Sequence, residues 1–202
     1  MQPKDAAEGG QKAPAPTAPV PPPAAPSPSV VAGPSVSSLG PMPPVPDTTR
    51  TKALANVIVQ KFPSTKVDYV REKRVKLTST VDQIKEVAFF IRDQLGFDHL
   101  NVVGGTDYMQ QGEFEVIYFV GSLSTPGQQD LVVQLAERVK REESPKVPSL
   151  TEVWGAAEYH ERETFEMLGI FFEGHPDLRR LLLPEDWDDI PPLRKDYHSP
   201  GR

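Results

Sequence analysis

The sequence predicts an α+β fold: a mixed or antiparallel sheet of about four strands packed by helices, with an extended, proline-rich C-terminal tail and a disordered N-terminal arm. Three observations predict it. The runs LNVVGGTDY, EFEVIYFVGSL and QDLVVQLAERV are apolar, rich in β-branched and aromatic residues, and bounded by turn residues at Gln110 to Gly112 and Ser124 to Gln128. One window repeats its apolar residues at helical spacing, through Ile84, Val87, Ala88, Ile91 and Leu95. The prolines are segregated: 14 of the 23 lie in residues 1–50, and Pro176, Pro184, Pro191, Pro192 and Pro200 interrupt the far end.

In chain order, residues 1–50 have almost no large apolar side chain to bury, so they cannot recover their ordering entropy and read as a disordered arm of polyproline II character: a tether or a docking strip for a proline-recognising partner, or a dispensable extension. Leu54 to Phe62 has helix-compatible composition and stops at Pro63. VDYVREKRVKLT follows as a charge-guarded strand or a hairpin. Thr80 with Gln83 is spaced as a capping box for the helix over Ile84 to Leu95, which Gly96 closes. In the second of the three apolar runs, Phe114, Val116, Tyr118 and Val120 lie on one face and Ile117 and Phe119 on the other, which predicts a central strand.

Pro145 and Pro148 read as a hinge, and Ser149 as the cap of a short helix through Glu152. A longer helix spans Ala156 to Leu168 and ends at Gly169 in a left-handed cap. Beyond it the prolines allow only an extended ribbon. Its apolar residues, among them Leu178, Leu181 to Leu183, Trp187 and Leu193, need a surface to lie on. The division is therefore a disordered extension at 1–50, a sheet domain at 51–144 whose apolar pattern closes without the tail, and a helix plus wrapping tail at 145–202.

Composition excludes several functions. The net charge of −6 belongs to the body, since residues 1–50 hold Lys4, Lys12 and Arg50 against Asp5, Glu8 and Asp47. An acidic body argues against nucleic acid or anionic lipid as the main ligand. The absence of cysteine removes thiolate catalysis and cysteine ligation of an iron–sulfur cluster. No stretch approaches the roughly 20 apolar residues of a membrane span, and neither a signal nor a transit peptide is expected, which points to the cytosol.

Searches for chemistry end without a catalytic, cofactor or metal set. His160 and Glu161 begin an HExxH pattern, but Thr164 stands where the second histidine belongs. His99, His160, His175 and His198 share no ligand spacing, and Gly104 with Gly105 completes no phosphate loop. Glu161 stands out, because a helical wheel places it amid Trp154, Ala157, Thr164, Phe165 and Leu168. Either it borders the core and is solvated, or it forms a partly buried clasp with Arg179 or Arg180 of the tail.

The stretch ERETFEMLGIFFEGHPDLRRLLLPEDW at 161–187 and PLRKDY at 192–197 closely resemble the signature of the C subunit of respiratory complex I (NADH:quinone oxidoreductase), a family that includes related F420H2 dehydrogenase and membrane-bound hydrogenase subunits. The resemblance covers roughly residues 51–202. It implies a cofactor-free, non-catalytic subunit of an NADH or F420H2 oxidoreductase that translocates protons and reduces quinone or methanophenazine. By the same resemblance the chain is peripheral, on the cytoplasmic side of the cell membrane, touching the membrane only through the complex. Iron–sulfur clusters and quinone would belong to partner subunits, and the chain would pack against the larger quinone-site subunit. The expected interface residues are Glu161, Arg162, Glu163, His175, Arg179, Arg180, Leu181, Trp187, Arg194, Lys195 and Tyr197. A free-standing scaffold or assembly factor of the same fold is the alternative.

Overall fold

The computed structural model describes residues 47–199, which fall within one compact unit. The disordered arm expected at 1–50 therefore lies outside the described residues, except for its last four positions. Of those, Thr49 and Arg50 already belong to the first helix, α1 (Thr49–Lys61), which Arg50 ties to the sheet domain through Asp130 at 3.1 Å.

Among the described residues the sheet is mixed and has five strands: β1 (Lys66–Val70), β2 (Arg74–Ser79), β3 (His99–Tyr108), β4 (Glu113–Gly121) and β5 (Val132–Lys140), in the order β1-β2-β5-β4-β3. The extra strand arises because VDYVREKRVKLT forms an antiparallel hairpin, β1 with β2. The β2–β5 pair is parallel, and β5–β4 and β4–β3 are antiparallel. Consequently β5 takes the centre, and β4, expected there, lies one place out. Its Ile117 and Phe119 are only partly buried, whereas Phe114, Val116, Tyr118 and Val120 are fully buried.

One face of the sheet makes the core. Val75 and Leu77 of β2, Val133 and Leu135 of β5 and the four inward residues of β4 pack with Ala55 and Ile58 of α1 and with the apolar stripe of α2 (Ile84–Asp93). The other face carries paired charges, with Lys76 Nζ 2.9 Å from Glu115 Oε1 and Arg138 Nε 3.2 Å from the same oxygen. Helix α2 starts without its expected capping box. Thr80 meets Gln83 and Ile84 through its backbone carbonyl, and the Gln83 side chain accepts from Ser64.

The core does not stop at residue 144. Val147, Leu150, Val153, Trp154, Leu168, Ile170 and Phe172 belong to the same buried cluster, so the sheet does not close its core alone. Nor are Pro145 and Pro148 a hinge: β6 (Lys146–Pro148) pairs in parallel with β7 (Phe171–Glu173). Proline lacks only the N–H, and here the carbonyl of Pro145 accepts from Phe171 N at 2.8 Å while Ser149 N donates to Glu173 O at 2.8 Å. After Ser149 comes a turn rather than a helix, in which Ser149 Oγ accepts from Thr151 N at 3.2 Å. No helix of the described residues is long and apolar enough to cross a membrane.

Candidate functional site

Helix α3 (Ala157–Leu168) joins the core to the tail, and its two sides carry different chemistry. Toward the sheet it approaches β3 closely, because Gly105 has no side chain: a Cβ there would collide with Leu168 Cδ1 and stand 3.0 Å from Thr164 Cγ2. Glu161 faces the same way and is fully buried. Among the described residues it pairs with no arginine. Its Oε1 accepts from Leu150 N at 2.8 Å and from the Tyr118 hydroxyl at 3.1 Å, and its Oε2 from Ser149 Oγ at 2.6 Å. The clasp with Arg179 or Arg180 is thus replaced by three neutral donors. The arginines lie beyond the opposite side of the helix: Arg179 is exposed and binds Asp177 at 2.6 Å, while Arg180 donates to Pro184 O at 3.0 Å.

The tail is strapped to α3 all the same, through its backbone. Arg162 Nε and Nη2 donate to the carbonyls of Arg179 and Arg180 at 2.9 and 3.0 Å. Glu166, buried beneath the tail, accepts the amides of Leu181 at 3.1 Å, Leu182 at 2.8 Å and Leu183. A ribbon that pairs with no strand must find acceptors for its amides elsewhere, and one carboxylate supplies three of them. His175 fastens the start of the ribbon: its Nδ1 accepts from Asp177 N at 3.0 Å, which leaves Nε2–H to donate to Glu158 O at 3.0 Å.

The LRKDY segment closes the other end of α3. The last carbonyls of a helix have no partner within it; here Met167 O receives Leu193 N at 2.9 Å and Leu168 O receives Arg194 Nε at 2.6 Å. Gly169 makes this possible on two counts. Its φ is +74°, and a Cβ would stand 2.7 Å from Arg194 Nη2. Lys195 N then donates to Asp107 Oδ2 at 2.8 Å, and Arg141 bridges Asp107 at 3.0 Å to Asp196 at 2.7 Å. That guanidinium holds the Asp196 carboxyl below the usual carboxylate range. Trp187 and Tyr197 pack ring against ring with centroids 5.9 Å apart.

The expected interface residues therefore separate. Arg162, His175 and Arg194 hold the tail from within the chain; Glu161 is sealed in the core; Glu163, Arg179, Arg180, Leu181 and Lys195 are exposed; Trp187 and Tyr197 are half-buried. Sequence reasoning missed Glu166, Asp107 and Arg141. The signal for Glu166 was the run of amides after two arginines in a segment with no strand of its own, whereas nothing local marks Asp107 or Arg141.

This architecture has relatives. A family profile described as "Respiratory-chain NADH dehydrogenase, 30 Kd subunit" matches residues 77–202. The C subunit of the F(420)H(2) dehydrogenase of Methanosarcina mazei is 37% identical over 150 residues, spanning 73% of this chain and 92% of that one. The C subunit of the NADH-quinone oxidoreductase of Chloroherpeton thalassium is 43% identical over 119 residues, which are 58% of this chain and 47% of that relative. Among solved structures, a chain of the membrane-bound sulfane sulfur reductase, an archaeal respiratory membrane complex, shares the fold with a TM-score of 0.61 at 21% identity, over 74% of this chain and 86% of that one. The trypsin-resistant fragment of Nqo5 gives 0.53 at 27% identity, over 64% of this chain and 99% of the fragment. Since α3, the GHPDLRR ribbon and the LRKDY closure all fall within the matched residues, the chain belongs to the family of the 30 Kd subunit of respiratory-chain NADH dehydrogenase.

Proposed function

We propose that this chain is a non-catalytic, cofactor-free subunit in the peripheral arm of a proton-translocating quinone or methanophenazine oxidoreductase, and that the outer surface of its tail packs against the larger quinone-site subunit. Iron–sulfur clusters and quinone belong, in this reading, to the partner subunits, with the electron donor NADH or F420H2 handled there as well. The complex would hold the chain at the cytoplasmic side of the membrane. Family membership supports the subunit role.

The observation that carries the interface is the way the ribbon is held. Its backbone is bound inward by Arg162, Glu166 and the Met167 carbonyl, and its apolar side chains are turned outward: Leu181, Leu182, Ile190 and Leu193 are 43, 60, 40 and 58% exposed. A rigid ribbon presenting apolar groups next to Arg179 and Arg180 has the makings of an interface core with a polar rim. The test is Leu182→Asp with Leu193→Asp in the full chain, expressed in cells that carry the partner subunits. The expected result is an unchanged melting temperature together with loss of co-purification with the iron–sulfur subunits. Normal incorporation of the double variant would overturn this interface.

A further inference from the structure

Among the described residues, Glu137 is a carboxyl sealed in the core without a partner. It lies on the core face of β5, is fully buried, and neither of its carboxyl oxygens has a hydrogen-bond partner. Its register partner on β2 is Ser79, whose buried Oγ is likewise unpartnered, and on β4 it faces Val116.

The groups that face it are few. Tyr118 lies diagonal to it on the same face of β4 and donates its hydroxyl to Glu161 of α3 at 3.1 Å; Glu161 acts on Glu137 through its charge, and His175, from the segment after β7, acts on Glu161. Helix α2 turns apolar side chains to the core, with Ile84, Val87, Ala88 and Ile91 buried and Phe89 and Phe90 at the edge, while its Lys85 and Arg92 are paired with Glu152 and Asp93. Among the described residues no lysine or arginine pairs with either Glu137 or Glu161. Two carboxylates, sealed in one core without a cation, cannot both stay charged at acceptable cost.

We propose that Glu137 is a proton-binding site: the chain folds around one proton carried on the Glu137 carboxyl, while Glu161 holds the negative charge that latches α3 to the sheet. The division follows from the donors. Glu161 is met by Ser149 Oγ, Leu150 N and the Tyr118 hydroxyl, all of which stabilise a carboxylate, whereas Glu137 is met by none. Burial first, and then the charge on Glu161, push Glu137 well above the usual carboxyl range. Burial also raises Glu161, against the pull of its three donors.

A proton held in the folded chain and released by the unfolded one makes stability depend on pH with a fixed sign. The stabilisation is full below the ordinary carboxyl range and is lost as pH rises toward the folded value of Glu137. Over that window the folding equilibrium constant falls by about tenfold per pH unit for the one proton. Titrating Glu137 would add a second anion to the core that already holds Glu161, so the expected lesion is a loosened α3.

Infrared spectroscopy of the full chain at pH 7 reads the proton directly, through the carbonyl stretch of a buried, protonated carboxylic acid. The band is expected in the wild type and in Glu161→Gln and absent in Glu137→Gln. Absence of the band from the wild type, or its loss in E161Q with retention in E137Q, overturns the assignment. Denaturant titrations across neutral to alkaline pH form the second arm and need only E137Q, a near-isosteric change: its stability should fall with pH by one proton less than that of the wild type. Equal slopes would also overturn the proposal.

Discussion

Removing the Glu166 carboxylate should unfasten the tail while leaving the sheet intact. In Glu166→Ala the amides of Leu181, Leu182 and Leu183 lose their common acceptor. Hydrogen bonds to a charged group contribute about 1.5–3 kcal/mol each, so three would set an upper bound of roughly 5–9 kcal/mol. The loss is smaller than that, because Leu181 and Leu182 are exposed and their freed amides can turn to water. About 3 kcal/mol is a reasonable net figure. For a folded body of this size it corresponds to a fall in melting temperature of about 6–12 °C if the tail and core melt together. Amide hydrogen exchange at Leu181 to Leu183 together with thermal melting forms the assay. Glu166→Gln, which keeps one acceptor oxygen but sets an NH2 against an amide hydrogen, should fall between wild type and alanine. Unchanged protection of these amides in E166A would refute the strap, since no other acceptor holds them.

Gly169→Ala combines a left-handed backbone with a clash against the Arg194 guanidinium, and should cost about 1–3 kcal/mol in a denaturant titration. Displacing Arg194 from Leu168 O would also expose the end of α3 to proteolysis. Glu161→Ala strands a serine hydroxyl, a backbone amide and a tyrosine hydroxyl in the core, and should destabilise by at least about 3 kcal/mol in the same titration. By contrast, replacing Arg179 and Arg180 with alanine should leave the melting temperature of the isolated chain unchanged, because Arg179 is itself exposed and holds only the nearby Asp177, and Arg180 holds two exposed carbonyls; a marked fall would revive the clasp.

Much of the fold could be read from local pattern. The stripe from Ile84 to Ile91 became the buried face of α2, and Gly169 closed α3 in the left-handed conformation expected of it. The helical wheel put Glu161 in the right place, amid apolar neighbours, but gave it the wrong partners. Charge suggests a charged partner, whereas the donors come from a turn at Ser149 and Leu150 and from a strand residue far away in sequence, and none of them is ionised. The prolines misled for a related reason. A missing N–H stops a helix wherever it occurs, yet β6 pairs through the carbonyl of Pro145 and the amide of Ser149, which proline chemistry leaves untouched. In β5 the alternation of Val133, Leu135, Glu137 and Val139 did mark Glu137 as inward, and the apolar character of the strand hid it.

The parallel pairing of β2 with β5 bears on how the chain acquires its shape. Arg74 sits beside Val132, and everything between them, including α2, β3 and β4, must be made before that ladder can form. The β1–β2 hairpin therefore waits for its neighbour, and long-range pairing of this kind slows folding relative to local contacts. During synthesis from the N-terminus the central strand is the last of the five to emerge, and α3 with its ribbon comes later still. Until then β2 and β4 each present an unpaired edge that can template non-native association. The ribbon that would meet a partner is thus set in place only once the sheet beneath it is complete, which leaves a half-made chain unable to offer a finished docking surface.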